Sequence, residues 1–267
     1  MYPVLIDWGP VFLPSWHFFY VISAIVCYFL VLKLRESFVS EVGIGEINSI
    51  YVLAYVSSYI GARALTIIAE KESYTGIAGF FTLLFSIGGL TFYGGFLFSV
   101  FLCVIYVLIR KLPIWKLLDI STVSLFFSLA IARVGCFLNG CDYGIPVRQA
   151  EDGGFPFWAV VFPVLEDAIP RYPTQLMESV LVGIMASAVL AGYGHLKEKM
   201  VDGGIGLLSI LGYATIRFFV EYYRGDERGW VVHDMISTSQ FISLCLILSV
   251  LLIFLLRGVR RTLSNSP

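Results

Sequence analysis

The sequence predicts an all-α, polytopic membrane protein with about seven transmembrane helices. Three observations predict it. Hydrophobic residues make up 58% of the 267 positions and charged residues only 14%, against about 25% charged in a soluble domain. The apolar residues fall in runs of about 20, the length needed to cross the hydrocarbon core. Lys and Arg gather in alternate loops, as they do around membrane spans. Aromatic residues, 16% of the chain, suit interfacial belts of Trp and Tyr as well as lipid-facing Phe.

Spans are expected near residues 16–33, 47–69, 93–110, 116–138, 174–194, 203–223 and 236–257. Residues 1–15 contain Asp7 but no Lys or Arg, so the first run lacks the basic flank of a signal peptide and reads as a span. The stretch 76–90 is shorter and Gly-rich, which suggests an interfacial or re-entrant segment. The connection 139–173 holds Pro146, Pro156, Pro163, Pro170 and Pro173, so it reads as an irregular head outside the membrane. No internal repeat stands out. Residues 1–267 are expected to form one transmembrane domain carrying this head as an insertion.

Orientation follows from the basic residues. Lys33, Arg35, Arg110, Lys111, Lys116, Lys197, Lys199, Arg257, Arg260 and Arg261 fall on one side of the expected spans. Only Lys71, Arg148, Arg171, Arg224 and Arg228 fall on the other, among many acids. This asymmetry places the C terminus in the cytoplasm, with the N terminus and the 139–173 head outside.

Ionisable residues inside spans are costly, about 2.5–3.5 kcal/mol at a helix centre. Arg63, Asp119, Arg133, Glu178, Arg217 and Glu221 all fall in or near spans. Snorkelling or structural ion pairing accounts for such residues in general, and it suffices for Asp119. Arg63, Arg133 and Arg217 lie toward the outer ends of their helices, and three cations at one depth suggest an anion site. In "RFFVEYYR" the spacing of Arg217, Glu221 and Arg224 puts all three on one helix face. Arg217 either pairs with Glu221, or joins Arg224 in gripping a phosphate while Glu221 holds both. The planar guanidinium suits bidentate phosphate contacts, and a phospholipid headgroup is the natural ligand of an outward-facing basic pocket in a bilayer. "GGLTFYGGF" surrounds Tyr93 with four glycines; a packing joint and a flexible mouth presenting the Tyr93 hydroxyl are both open readings.

Five cysteines, at 27, 103, 136, 141 and 245, do not make a disulfide framework. Cys27, Cys103 and Cys245 sit in apolar runs as packing residues. Cys136 and Cys141, in "ARVGCFLNGCDYG", flank an expected helix end.

These motifs, taken in order, resemble those of the prolipoprotein diacylglyceryl transferase family over most of the chain. "GPVFLPSWHFFY" is similar to its opening Gly-Pro…Trp-Tyr-Gly stretch, with His17 at a usual tyrosine. "GARAL" resembles its Gly-Gly-Arg segment and carries Arg63. "GGLTFYGGF" resembles its Gly-Gly-hydrophobic-x-Phe-His-Gly-Gly loop, with Tyr93 in place of the histidine. "RYPTQLMES" resembles a His-Pro-Ser-Gln-Leu-Tyr-Glu motif, retaining Pro173, Gln175, Leu176 and Glu178. "RFFVEYYR" is similar to its arginine and glutamate helix. The family signature, Gly-Arg-x-Gly-Asn-Phe-x-Asn-x-Glu-x-x-Gly, is matched at Arg133, Gly135, Phe137, Asn139, Gly140 and Gly144, but Cys136 replaces its first asparagine and Cys141 its glutamate, with Asp142 following.

The resemblance implies a bacterial inner-membrane transferase with its site facing the outer leaflet and periplasm. It implies movement of a diacylglyceryl group from phosphatidylglycerol to the cysteine thiol of a membrane-associated protein acceptor. In that chemistry Arg133 and Arg217 would stabilise charge on the phosphate, with Glu221 orienting them. Asn139 and Gln175 would bind glycerol or ester oxygens, and Arg63, Arg224, Glu178, His17 and Cys136 would complete the lipid site. Tyr93 or Asp142 would handle the thiol proton. Cys136 and Cys141 admit three readings: a disulfide fixing the helix end, a nucleophile that carries the lipid transiently, or small inert replacements. No cofactor, metal ion or nucleic acid is expected, since no His lies near the two thiols and the arginines repel a cation. The altered signature also favours a non-standard acceptor, and leaves open a non-catalytic lipid-binding or lipid-moving protein. A small-solute transporter has less support, because no matched pair of broken helices is visible.

Overall fold

The computed structural model describes residues 2–8, 11–69, 92–149, 154–226, 229–232 and 235–264. The Gly-rich 76–90 stretch, Lys71, Arg228 and the first part of the Gly88–Phe96 motif lie outside the described residues. Eight α-helices occur among those described: α1 Ser15–Phe38, α2 Ile44–Ala69, α3 Phe92–Ile109, α4 Ile114–Asn139, α5 Thr174–Ala191, α6 Tyr193–Lys199, α7 Gly204–Val220 and α8 Thr238–Ser264. Of these, α1, α2, α4, α5, α7 and α8 are long and apolar enough to cross a membrane, and α3 is a shorter apolar helix. The protein is thus an all-α polytopic membrane protein, and each of the seven expected spans coincides with one of these helices. The short α6 was not anticipated; it lies inside the basic loop that carries Lys197 and Lys199.

Two compact units divide the chain, Leu32–Leu117 in one and Met1–Val31 with Leu118–Pro267 in the other. In the first, α2 and α3 run antiparallel and very close. A Cβ on Gly61 would meet the Gly94 carbonyl oxygen and lie 2.5 Å from Phe98 Cβ, and one on Gly95 would lie 2.7 Å from the Ser58 carbonyl oxygen. The absent side chains are what permit this approach. Further along, Ser99 donates to the Ala54 carbonyl at 3.1 Å and Tyr106 to Glu46 at 2.6 Å.

In the second unit, Phe126 stacks on Tyr213 with ring centroids 4.8 Å apart. Around them Val182, Ala186, Met185, Ile210 and Ile216 form an apolar core shared by α4, α5 and α7. At one end of this core Asp119 is fully buried. It accepts hydrogen bonds from the backbone N–H groups of Gly203 (2.9 Å) and Gly206 (2.8 Å), and Lys197 lies 3.2 Å away. Asp119 therefore caps α7 and pairs with a lysine, the structural ion pair the sequence suggested, without snorkelling. Burying a carboxylate is tolerable only with such partners.

At the other end, Gly135 lets α4 approach α1, since a Cβ there would lie 2.8 Å from Phe19 Cβ. Before α1, strands β1 (Val4–Trp8) and β2 (Val11–Pro14) form an antiparallel hairpin that the sequence did not reveal. The 139–173 connection is largely irregular, as its prolines require, but it is stitched into place. Strands β3 (Val160–Val161) and β4 (Pro170–Arg171) pair. Residues 143–147 bond to 170–172 on one side, through Gly144 N to Tyr172 O (3.0 Å) and Val147 N to Pro170 O (2.9 Å). On the other side Ile145 N reaches Tyr223 O (2.8 Å) and Gly225 N reaches Tyr143 O (2.9 Å). A third short pair, β5 (Trp230–Val232) with β6 (Ile236–Ser237), precedes α8.

Candidate active site

The site begins at the end of α4. Gly140 adopts φ +82°, a left-handed conformation that favours glycine, and its N–H caps the helix by bonding the Cys136 and Phe137 carbonyls at 3.0 and 3.2 Å. Asp142 is also left-handed, at φ +59°. Two polar side chains at the start of α5 fix this turn. Thr174 donates to the Asp142 carbonyl at 2.6 Å, and Gln175 donates through Nε2 to the Cys141 carbonyl.

The turn aims the Asp142 carboxylate back at the helix it leaves. Its Oδ2 lies 2.5 Å from Arg133 Nη1, and its Oδ1 lies 2.7 Å from Arg224 Nη2. Arg133 also reaches Glu178 Oε2 on α5 at 2.9 Å, and that same oxygen accepts from Arg217 Nη1 on α7 at 3.0 Å. Arg217 pairs in turn with Glu221 at 3.1 Å and donates to Ser239 at 3.3 Å. Ser237 donates to Glu221 at 2.8 Å, and Arg224 is held by Asp226. One continuous network thus joins α4, α5, α7 and the start of α8. It contains three guanidinium groups and four carboxylates, nearly all removed from solvent. The Arg133 Nε and Gln175 Oε1 are buried and have no hydrogen-bond partner.

Burial pushes the Asp142 carboxyl up, but Arg133 and Arg224 outweigh it and hold it below the usual carboxylate range. At Arg224 burial works against the charge, while Asp226 and Asp142 more than restore it and raise the pKa. Cys141 is exposed and Cys136 half-buried, and both are free thiols. A hydrogen bond from Cys136 lowers the Cys141 thiol to about 7, although desolvation and Asp142 push the other way. The two sulfurs and an Asp142 oxygen lie within 4.8 Å of one another. They are the described residues with metal-ligand character that draw together, but both Asp142 oxygens are already engaged by arginines.

Of the residues singled out from the sequence, Arg133, Cys136, Asn139, Cys141, Asp142, Gln175, Glu178, Arg217, Glu221 and Arg224 are gathered at this end of one unit. Asn139 hydrogen-bonds the Cys141 thiol. His17, on α1 of the same unit, stacks on Trp16 with centroids 3.5 Å apart, and its buried Nδ1 has no partner. Arg63 and Tyr93 belong to the other unit. There Arg63 is buried over the Tyr59 ring, 5.6 Å from its centroid, and Tyr93 opens α3.

One expectation about geometry is corrected in part. Arg217 and Glu221 pair at the expected i, i+4 spacing, but Arg224 does not continue their helix face, because α7 stops at Val220 and Glu221–Tyr223 tighten into a 3-10 turn. Arg224 follows in extended conformation, bridged to Gly144, and reaches the cluster from the side. Thr174, Ser237, Ser239 and Asp226 were missed. For Ser237 a signal existed in "STSQ". Its hydroxyl accepts from Gln240 N at 3.1 Å while Gln240 Oε1 accepts from Ser237 N at 3.1 Å, the reciprocal box that starts a helix.

Comparison with known proteins bears on what such a cluster does. The chain is 27% identical over 248 residues to a phosphatidylglycerol–prolipoprotein diacylglyceryl transferase of Pasteurella multocida, covering 92% of this chain and 88% of that one. It is 30% identical over 228 residues to the Clostridium botulinum protein of the same name, covering 84% and 86%. Against the Glaesserella parasuis protein of that name the identity is 32% over 180 residues, 67% of this chain but only 63% of the relative. Residues 3–256 match the family model described as prolipoprotein diacylglyceryl transferase, a span that takes in every residue of the arginine–carboxylate network. The chain therefore belongs to the prolipoprotein diacylglyceryl transferase family.

Proposed function

We propose that this protein transfers a diacylglyceryl group from phosphatidylglycerol to the thiol of a prolipoprotein cysteine, releasing glycerol phosphate. The observation that carries the reading is the meeting of Arg133 and Arg217 on one buried carboxylate oxygen, that of Glu178. Two guanidinium groups from different helices are thereby held side by side, away from bulk water, where a phosphate accumulating charge gains most from them. The acceptor thiolate attacks the diacylglyceryl carbon, the carbon–oxygen bond breaks, and the phosphate leaves with the electron pair. Glu178 and Glu221 set the two arginines, while Asp142 sets Arg133 and Arg224. Asn139, Gln175, Cys136 and His17 contribute to lipid binding.

Asp142 suits a clamp better than a base, since two arginines favour its ionised form. A lipid-carrying Cys141 is chemically weak, because its thioether would be no better a donor than the product thioether. The basic-loop asymmetry supports a site open to the outer leaflet of the bacterial inner membrane.

The test is complementation of a strain depleted of its own prolipoprotein diacylglyceryl transferase, with mass spectrometry of a reporter lipoprotein. Diacylglyceryl on the lipobox cysteine, lost in Arg133→Ala, is the expected result. The double ion pairing of Asp142 favours one competing reading, a non-catalytic lipid-handling protein. An unmodified reporter beside well-expressed protein would select it.

A further inference from the structure

Cys136 and Cys141 stand where the family signature has other residues, and the transfer reaction as derived makes or breaks no bond at either sulfur. Their arrangement is specific. Cys136 lies on the last turn of α4 and Cys141 just beyond the Gly140 cap. The Cys141 thiol is 3.6 Å from the Cys136 carbonyl oxygen, and the two sulfurs lie within 4.8 Å. One thiol is exposed and the other half-buried, as expected of an attacking and a resolving partner. Cys141 and the adjoining Asp142 are held at four points. Gln175 holds the Cys141 carbonyl, Thr174 the Asp142 carbonyl, and Arg133 and Arg224 the Asp142 carboxylate.

We propose that Cys136 and Cys141 form a reversible disulfide, and that closing it loosens the grip of Asp142 on Arg133 and Arg224. The oxidant is a protein or small-molecule disulfide. The Cys141 thiolate attacks one of its sulfurs, expelling a thiolate and forming a mixed disulfide. Cys136, losing its proton to that thiolate, then attacks Cys141. The second partner thiolate leaves and takes from solvent the proton that Cys141 gave up, so the oxidant ends as two thiol groups, carrying the two electrons that the new bond releases. In the reduced protein the sulfurs lie within 4.8 Å but are not bonded, so bond formation draws Cys141 toward α4. Gly140 and Asp142 are both left-handed and their turn is tethered by Thr174 and Gln175, so the displacement passes to the Asp142 contacts. A reduced site is the active one. The slowing of transfer rests on the function proposed above, whereas the thiol chemistry and its linkage to Asp142 do not.

The full-length protein in detergent is equilibrated with graded mixtures of reduced and oxidised glutathione, acid-quenched, alkylated and digested. Mass spectrometry should find a Cys136–Cys141 linked peptide whose abundance follows the buffer reversibly, and which is absent from Cys136→Ser. Linkage is reciprocal. Asp142→Asn should therefore raise the oxidation equilibrium constant by about tenfold, within the usual range of such couplings. Loss of the Asp142 charge alone would favour the thiolates and shift the balance the other way. Thr174→Val, which frees the Asp142 carbonyl without removing a charge, should move it in the same direction as Asp142→Asn. Thiols that stay separately alkylated, or a midpoint unmoved or reversed in both variants, would overturn the proposal. In the reporter assay, oxidation should slow transfer at least about tenfold, recovering on reduction. If neither redox state transfers lipid, the functional reading fails while the peptide and midpoint data still decide this one.

Discussion

Glu178 Oε2 lies 2.9 Å from Arg133 Nη2, and the glutamate is 2% exposed. The same oxygen accepts from Arg217 at 3.0 Å, so a single anionic atom reconciles two like charges carried on different helices. Glu178→Gln removes that charge and leaves two buried guanidinium groups facing a neutral amide. Leaving a buried charge without any partner costs about 3–5 kcal/mol; the cost here is smaller, because Arg133 keeps Asp142 and Arg217 keeps Glu221. We expect a clearly lower melting temperature in detergent together with loss of diacylglyceryl transfer to the reporter.

Arg133→Lys keeps the charge but not the fork. A lysine ammonium is a point donor that cannot span Asp142 and Glu178 as the guanidinium does. Transfer should fall by about 10²–10³-fold, the usual loss when one preorganised donor to a developing anion is removed. The rate of reporter modification, measured at matched expression, checks it.

Acid should leave the Asp142 clamp intact longer than an ordinary carboxylate. The folded carboxyl lies below its unfolded value, taken as about 3.9. The stability it contributes is therefore fully present above that value and is lost only as pH falls through the lower, folded one. The melting-temperature gap between wild type and Asp142→Asn should be constant down to about pH 5 and close only below about pH 4. A gap that closes between pH 6 and 5 would contradict the double ion pair.

Asp119→Ala tests the opposite end of the same unit. It strips the cap from the Gly203 and Gly206 N–H groups and leaves Lys197 without a buried partner. A lost cap of this kind costs about 0.5–2 kcal/mol, and the melting temperature should drop accordingly. Transfer assayed well below the new melting temperature should match wild type, since Asp119 touches no residue of the arginine cluster.

Gly144→Ala should damage the site from outside it. A Cβ there would meet the Tyr172 carbonyl oxygen and lie 2.8 Å from the Tyr223 carbonyl oxygen. The backbone seam that positions Asp142 against Arg224 would have to open. We expect reduced transfer and faster proteolysis near residue 144 in limited digestion, with the helices themselves retained by circular dichroism.

The spans were legible because length and hydropathy are local properties, and each helix from α1 to α8 except α6 follows a run visible in the sequence. The arginines and Glu178 were legible for a related reason: a charge in an apolar run is expensive and stands out. What was not legible was long-range. Asp142 was noticed as a possible base, and only the fold reveals that it closes on Arg133 nine residues earlier and on Arg224 far downstream. Arg224 itself was placed on a helix face because i, i+4, i+7 spacing assumes that the helix continues. The 3-10 turn at Glu221–Tyr223 leads into a pairing with residues 143–145, which no local pattern encodes. Ser239 and Thr174 escaped notice because hydroxyls at helix starts are ordinary, and their partners come from other elements.

The surplus of carboxylates over guanidinium groups in the network has a bearing on turnover. A bare triad of arginines would hold any phosphate, and would hold the departing dianion hardest of all. Here each arginine already has a resident counter-ion. On the proposed function, an arriving headgroup would compete for donors, and the leaving phosphate would be displaced by carboxylates that never left the site. The internal acids would then act as a built-in product competitor, trading ground-state affinity for release.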